Sequence, residues 1–283
     1  MKEKERYKNM TDQAWNKVYA RLDKEGLLTG RVSGPPARSI VWKWSMTAAA
    51  VALFCLVLSV AYRYATNEVT EYTLLTQQNK EITTSLVTTL EDGSIVYLSG
   101  YTSLQYPEHF SQDKREVSLQ GDALFDVAGN RARPFLIETE DVRIEVVGTA
   151  FNVKSDSHNP FELSVQRGEV KVTSKQSGAN IHVKAGETVR LQARQLQLSQ
   201  TQDTEQFERY TKRIRFKDEK LGSILRVINQ QVPDIRLTTV PALENRKLTV
   251  TFSDNSPETM AELICLALKA QCLKDGNVIT ISE

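Results

Sequence analysis

Two cysteines near the C-terminus are residues of this sequence whose type and spacing allow covalent chemistry. Cys265 lies on a predicted helix, roughly 120° from the centre of that helix's apolar stripe at 100° per residue, so core packing explains it poorly. Cys272 follows the helix, where a chain that turns back brings the two thiols together. In an oxidising compartment they are expected to form a disulfide, and two buried free thiols are the alternative.

A second candidate for covalent chemistry is the pair Gly148-Thr149. The Thr149 hydroxyl can attack the carbonyl of Gly148 and convert the amide into a more labile ester, and a tight turn supplies strain for such a shift. The simpler interpretation is structural: a glycine turn followed by a threonine at the start of a strand. Both interpretations stay open at this point.

The sequence contains no other pattern typical of catalysis or of metal binding. His109, His158 and His182 are isolated, without Cys, Asp or Glu at the spacing of metal ligands. There is no glycine-rich phosphate loop and no nucleophile elbow. We therefore expect neither a metal nor a cofactor, and we expect that the protein is not an enzyme.

An uncharged apolar run, Trp44 to Tyr62, predicts a single transmembrane helix over residues 44–64. Nineteen helical residues span about 28 Å, close to the thickness of a hydrocarbon core, and aromatic residues lie at both ends. A cleaved signal peptide or a buried core helix are the alternatives. Residues 1–43 carry ten Lys and Arg against five Asp and Glu, which predicts a cytoplasmic N-terminus and an exported C-terminus.

The N-terminal segment, residues 1–43, contains one predicted amphipathic helix with Thr11 as its N-cap. Its apolar residues recur at helical spacing, and a segment of this length has no core of its own to cover them. The stripe either lies on the membrane surface or inserts into a groove of a cytoplasmic partner. The stripe consists of Trp15, Val18, Tyr19 and Leu22.

Residues 71–200 alternate apolar and polar positions with turns every eight to twelve residues, which predicts an all-β domain, either a sandwich or a solenoid-like stack. Residues 213–283 predict a small α+β domain of order βαββαββ. Its second helix starts at Ser256 as N-cap with Pro257 behind it, and a hairpin on Asp275-Gly276 closes the domain. The net charge of +1 gives no support to nucleic-acid binding.

The β-rich region contains six successive segments with a shared pattern: Leu90–Leu98, Ser103–Pro107 with Phe110, Arg115–Val127, Arg133–Phe135, Val146–Val153 and Arg167–Val172. Together they resemble the signature blocks of FecR-like proteins, which are single-pass anti-sigma regulators of the bacterial inner membrane. The C-terminal domain, with Phe216, Asp218 and Leu221, resembles the secretin and TonB short N-terminal domain that ends FecR-like proteins of the Bacteroidetes type. Some FecR-like proteins are thought to cleave themselves at the Gly-Thr pair that is present here.

The resemblance implies signalling across the inner membrane. The partners it implies are the periplasmic signalling domain of an outer-membrane TonB-dependent receptor and a cytoplasmic extracytoplasmic-function sigma factor that controls uptake genes. The alternative from another class is an envelope scaffold or assembly protein whose N-terminal helix has no sigma-factor role. A sigma-factor gene beside this one would favour signalling.

We expect residues 213–283 to bind the receptor, because their second helix is apolar nearly all round and their small sheet has strand edges. Leu266 lies away from the core stripe of that helix, and Leu248, Val250 and Phe252 form the candidate pairing strand. The alternative is that Leu266 packs on the β-rich domain of the same chain.

Overall fold

The computed structural model describes residues 2–25, 53–59, 73–156, 160–232 and 234–283. The chain divides into two compact units, Met1–Thr70 and Glu71–Glu283. In the first unit, helix α1 spans Lys2–Lys24 and a helical segment, α2, covers residues 53–59. The prediction that Thr11 caps the start of α1 is wrong, because the helix begins nine residues earlier. Residues 2–10 are rich in Lys and Glu and contain neither Gly nor Pro, so nothing in them stops a helix.

The expected membrane helix is contradicted. Among the described residues, no helix combines the length and the apolar character that crossing a membrane needs. Of the predicted span, residues 44–64, the structure describes residues 53–59, which are helical. The remainder of that span lies outside the described residues.

The first part of the second unit is a β-sandwich, which fits the all-β expectation. Its two sheets share β5, whose first half pairs with β4 and β6 and whose second half pairs with β3 and β8. The bend falls at Gly121, where φ is +105° and a Cβ would lie 2.7 Å from Thr102 Oγ1. The strands are β1 Leu74–Gln78, β2 Ser85–Thr89, β3 Ile95–Leu98, β4 Ser103–Pro107, β5 Arg115–Asp126, β6 Phe135–Glu138, β7 Val142–Val146, β8 Ala150–Ser155, β9 Glu162–Arg167, β10 Glu169–Ser174, β11 Asn180–Lys184, β12 Glu187–Gln192 and β13 Gln195–Gln200.

Strand alternation explains why the sandwich has a dry interior. In β6 and in the first half of β5 every second side chain is buried, so the apolar residues there point to one side. Phe125 stacks on Phe151 with ring centroids 5.4 Å apart and contacts Phe135 edge to face. The sandwich thus has a core that excludes water and holds its loops in fixed positions.

The C-terminal part is a small α+β domain that begins after two short 3-10 helices, Thr204–Gln206 and Glu208–Tyr210. The second long helix begins as predicted: Ser256 Oγ accepts a hydrogen bond from the Thr259 amide, and Pro257 occupies the first turn. The sequence did not predict the short helix α4. The elements are β14 Arg213–Lys220, α3 Leu221–Gln231, β15 Arg236–Thr239, α4 Pro241–Glu244, β16 Lys247–Ser253, α5 Pro257–Leu268, β17 Gln271–Asp275 and β18 Val278–Ser282.

The two parts of this unit share a sheet and a core. Strand β14 pairs in parallel with β2 of the sandwich and antiparallel with β16, so one sheet runs from β13 through β2 to β16. Strands β15, β18 and β17 form a separate sheet. The core of the α+β part includes Val87, Ile95 and Leu124 from the sandwich. The α+β part is therefore built onto the sandwich.

The backbone conformation at Asp218 explains why an aspartate occurs between Phe216 and Leu221. Its φ is +53°, in the left-handed region that Asp and Asn tolerate better than most residues. The residue lies in a bulge of β14, between Phe216 and Glu219, and its backbone amide donates to Thr249 Oγ1 at 3.0 Å. The left-handed backbone at this position therefore favours Asp over most other residues.

Candidate functional site

A buried arginine organises one end of the sandwich, and the sequence analysis missed it. Arg115 is 1 % exposed and its guanidinium lies 5.3 Å from the centre of the Phe135 ring. Nη1 donates to Asp92 Oδ2 at 2.6 Å and to the Ala128 carbonyl at 2.8 Å, and Nε donates to the Arg133 carbonyl. The β2–β3 turn, β5 and the loop before β6 are thereby joined.

The alternation of inward and outward residues in β5 could have indicated that Arg115 is buried. Arg115 is in phase with Val117 and Leu119, whose side chains point into the core. A cation at an inward position needs a buried anion, and Asp92 in the neighbouring turn supplies it. Asp92 is held in turn by Ser94, whose amide and hydroxyl both donate to its carboxylate. This network has a structural role, because it holds a turn and a loop against β5.

The Gly148-Thr149 pair lies at the entry to β8. A Cβ on Gly148 would come within 2.7 Å of Gly129 Cα, so the close approach of two backbones requires glycine here. Thr149 is buried, and its hydroxyl donates to the Glu169 carbonyl at 3.1 Å. These contacts account for both residues structurally. Cleavage of this peptide bond stays a prediction.

Next to this turn is a cavity of about 580 Å³ that Gly148 and Thr149 help to line. His182 and Glu169 line it, with His182 Nδ1 2.8 Å from Glu169 Oε1. In the described residues, this pair included, no group of three or more His, Cys, Asp or Glu side chains is placed to hold a metal ion.

The structure joins Cys265 to Cys272 by a disulfide. Their Cα atoms are 6.2 Å apart, and the bond links the last turns of α5 to the first residues of β17. The chain reverses between them at Lys269, which has φ of +55° and caps the helix. The bond fixes the end of α5 against the small sheet.

We expect that replacing both Cys265 and Cys272 by Ser lowers the free energy of unfolding of the full chain by about 2–3 kcal/mol, because the bond restricts the unfolded state. Urea unfolding measures the difference. Cys55→Ser is the matched control, since Cys55 is free and exposed. Equal stability of the double variant and the unaltered chain would show that the bond contributes nothing to folding.

Leu266 on α5 is 77 % exposed, so it does not pack on the sandwich within the described part of the chain. The predicted pairing residues lie on β16, at the end of the long sheet, and pairing with a partner stays a prediction. Leu248 and Phe252 are buried in the core of the α+β part and Val250 is half-buried, so these side chains face inward. What β16 offers to a partner is its free backbone edge.

The junction between sandwich and α+β part is closely packed. Gln231 Nε2 donates to Tyr97 Oη at 3.1 Å, and burial raises the pKa of Tyr97 to about 12. Asn152 of β8 donates to Gln206 Oε1 at 3.0 Å, which ties the first 3-10 helix, just ahead of the α+β part, to the sandwich. A displacement of the α+β part would therefore be passed to the sandwich through these contacts.

In α1, the predicted partner-binding stripe is largely exposed. Trp15, Val18 and Tyr19 are exposed and Leu22 is half-buried among the described residues. The rings of Trp15 and Tyr19 lie 6.1 Å apart, one helical turn from each other. Three large apolar side chains on one helix form a surface that a protein groove or a lipid surface can cover.

The geometry defines a β-sandwich extended by a small α+β part, with exposed apolar residues on α1 and α5. Residues 74–171 match the family described as FecR protein. This part of the chain is therefore a FecR domain. The resemblance found in the sequence is confirmed.

Two crystal structures, each of a proposed anti-sigma factor from Parabacteroides distasonis, are similar to this chain. Both are 20 % identical to it, with TM-scores of 0.45 and 0.43. The matches cover 74 % and 75 % of this chain and 99 % of each of theirs. No curated protein matches the sequence.

Proposed function

We propose that this protein regulates a sigma factor in response to a protein contact made by its C-terminal part, and that it is a regulator without enzymatic activity. The observation that carries the proposal is the FecR domain at residues 74–171, together with an α+β part that is built onto it and presents Leu266 to a partner. The shared sheet through β2 and β14 gives a contact at the α+β part a route into the FecR domain.

The proposal includes two protein partners. The signalling domain of an outer-membrane TonB-dependent receptor binds the α+β part, and α1 holds an extracytoplasmic-function sigma factor through Trp15, Val18, Tyr19 and Leu22. Transcription of uptake genes is the output. The exposed apolar stripe on α1 supports the first step of sigma-factor capture, because covering it releases ordered water and stabilises a complex.

We expect that Trp15→Ala and Leu22→Asp each weaken capture of the sigma factor by about 2–4 kcal/mol, as loss of a buried anchor commonly does. Affinity purification of the full chain with its cognate sigma factor measures this. Lys17→Ala is the control, since it lies on the same helix outside the apolar stripe. Undiminished capture by Leu22→Asp would contradict a protein groove, and binding to anionic vesicles instead would favour a lipid-covered helix.

We also propose that the second unit lies in the periplasm and that the N-terminal segment lies in the cytoplasm. The disulfide supports this, because such bonds persist in oxidising compartments. An alkaline phosphatase that folds only in the periplasm should be active when fused after Glu283. Activity confined to fusions before Ile40 would reverse the proposed orientation.

A further inference from the structure

A polar cavity of about 310 Å³ lies where the sandwich meets the segment that leads into the α+β part. Asp122, Asn152 and Lys154 line it from β5 and β8. Arg209 and Tyr210 line it from the second 3-10 helix. Its volume is at the lower end of the range for small-molecule sites, and the regulatory role proposed above does not use it.

Asn152 leaves one buried hydrogen-bonding atom unsatisfied in the wall of this cavity. Its side chain is fully buried, and its Nδ2 donates to Gln206 Oε1. Its Oδ1 has no hydrogen-bond partner among the described residues. A buried acceptor without a donor is unfavourable, because it has lost its hydrogen bonds to water. A molecule in the cavity can supply the missing donor once the amide turns toward it.

The charged groups around the cavity select neither an anion nor a cation. Lys154 and Arg209 line it, but each is paired with a carboxylate that does not, Glu162 and Asp203 respectively. Asp122 is half-buried, and burial raises the pKa of its carboxyl. Donors and acceptors therefore occur together without an excess of one charge. A neutral ligand rich in hydroxyl groups complements such a lining, because each hydroxyl both donates and accepts.

Tyr101 has a strained backbone and an exposed ring, and it follows Gly100, which lines the cavity. Its φ is +60°, an uncommon value for a bulky residue, and its side chain is 71 % exposed. Strain of this kind occurs preferentially at functional sites. The ring offers a flat apolar face beside a polar cavity. A sugar ring matches this combination, since it carries C–H groups on its face and hydroxyl groups around its edge.

We propose that this cavity binds a small neutral saccharide. Its hydroxyl groups bond to Asp122, Asn152 and Tyr210, and its C–H face covers the ring of Tyr101. The ligand would touch both the sandwich and the second 3-10 helix, so its binding should stabilise the junction between them. A free monosaccharide and the end unit of a longer glycan share this chemistry.

Saturation-transfer NMR with the full chain tests the proposal, with glucose, galactose and N-acetylglucosamine as the probes. We expect at least one of them to bind saturably and to raise the melting temperature. Cyclohexanol, a ring of similar size with a single hydroxyl, should not bind. Binding of an oligosaccharide of N-acetylglucosamine without binding of the monosaccharides would support the site and identify a longer glycan as the source.

Two substitutions distinguish a ligand site from a structural feature. Tyr101→Gly should weaken sugar binding about fivefold or more while the melting temperature stays the same or rises, because glycine tolerates a positive φ. Asp122→Asn should also weaken binding and keep the fold, since the amide retains an oxygen to accept from the Ser155 backbone N–H. Asp126→Asn is the matched control, because Asp126 lies on the same strand but not in the cavity.

Absence of binding by every sugar, the oligosaccharide included, would overturn the proposal and leave a cavity that holds only water. Equal binding by the unaltered chain, Tyr101→Gly and Asp122→Asn would also overturn it. The outcomes are separate from those of the proposed function. Sugar binding by a chain that captures no sigma factor leaves this site intact and removes the regulatory role, and sigma-factor capture without sugar binding does the reverse.

Discussion

Arg115→Met is expected to lower the free energy of unfolding by about 3–5 kcal/mol, the largest loss of stability among the changes considered. The substitution leaves Asp92 buried with its charge uncompensated, which costs far more than an exposed pair is worth. It also removes the hydrogen bonds that Arg115 donates to the carbonyls of Ala128 and Arg133. Chemical unfolding of the full chain measures the change.

Arg143→Met is the matched control, because Arg143 also pairs with a carboxylate, that of Glu138, but is 58 % exposed. Its loss should cost at most about 1 kcal/mol. A second variant, Asp92→Asn, should lower the free energy of unfolding about as much as Arg115→Met, because it leaves the buried guanidinium without a counter-ion. Similar small effects of all three changes would contradict the role given to the buried pair.

Leu266→Glu is expected to abolish receptor-dependent induction while leaving the fold intact. A buried apolar anchor is worth about 2 kcal/mol or more at an interface, so a carboxylate in its place should weaken receptor binding at least about thirtyfold. The side chain is 77 % exposed, so stability should change by no more than about 0.5 kcal/mol. A transcription reporter and a melting curve on the same variant give both quantities.

Leu198→Glu supplies the control for this change, because Leu198 is also partly exposed but lies on β13 of the sandwich. It should leave induction unaltered. Normal receptor binding by a destabilised Leu266→Glu variant would mean that the leucine serves the fold and that the partner binds elsewhere.

Local features were predictable from the sequence because they depend on neighbouring residues. Period-two alternation identified the strands of the sandwich, and Ser256 with Pro257 identified the start of α5. The proximity of Cys265 and Cys272 followed from a helix end and a chain reversal between them. Each of these depends on interactions within about ten residues.

Long-range features were not predictable in the same way. The parallel pairing of β14 with β2 joins residues more than a hundred positions apart, and no local pattern specifies it. The inward orientation of Leu248 and Phe252 follows from which side of β16 the helices cover, which periodicity alone cannot decide. The match of Asp92 to Arg115 likewise depends on tertiary packing.

Two predictions made from composition and local sequence were wrong: the membrane helix and the start of α1. Apolar composition over residues 44–64 predicted a span, whereas no helix in the described part of the chain has the required length and apolar character. At α1, a good N-cap residue suggested a start at Thr11, but the preceding residues have helix propensities as good as those that follow.

The central proposal is that this protein controls a sigma factor through α1. The most direct measurement is transcript profiling in cells that lack the gene, complemented with the unaltered chain, with Leu22→Asp or with Lys17→Ala. The account predicts that the unaltered chain and Lys17→Ala restore expression of one sigma-factor regulon, and that Leu22→Asp does not. Restoration by all three chains, or no regulon that responds to the gene, would contradict it.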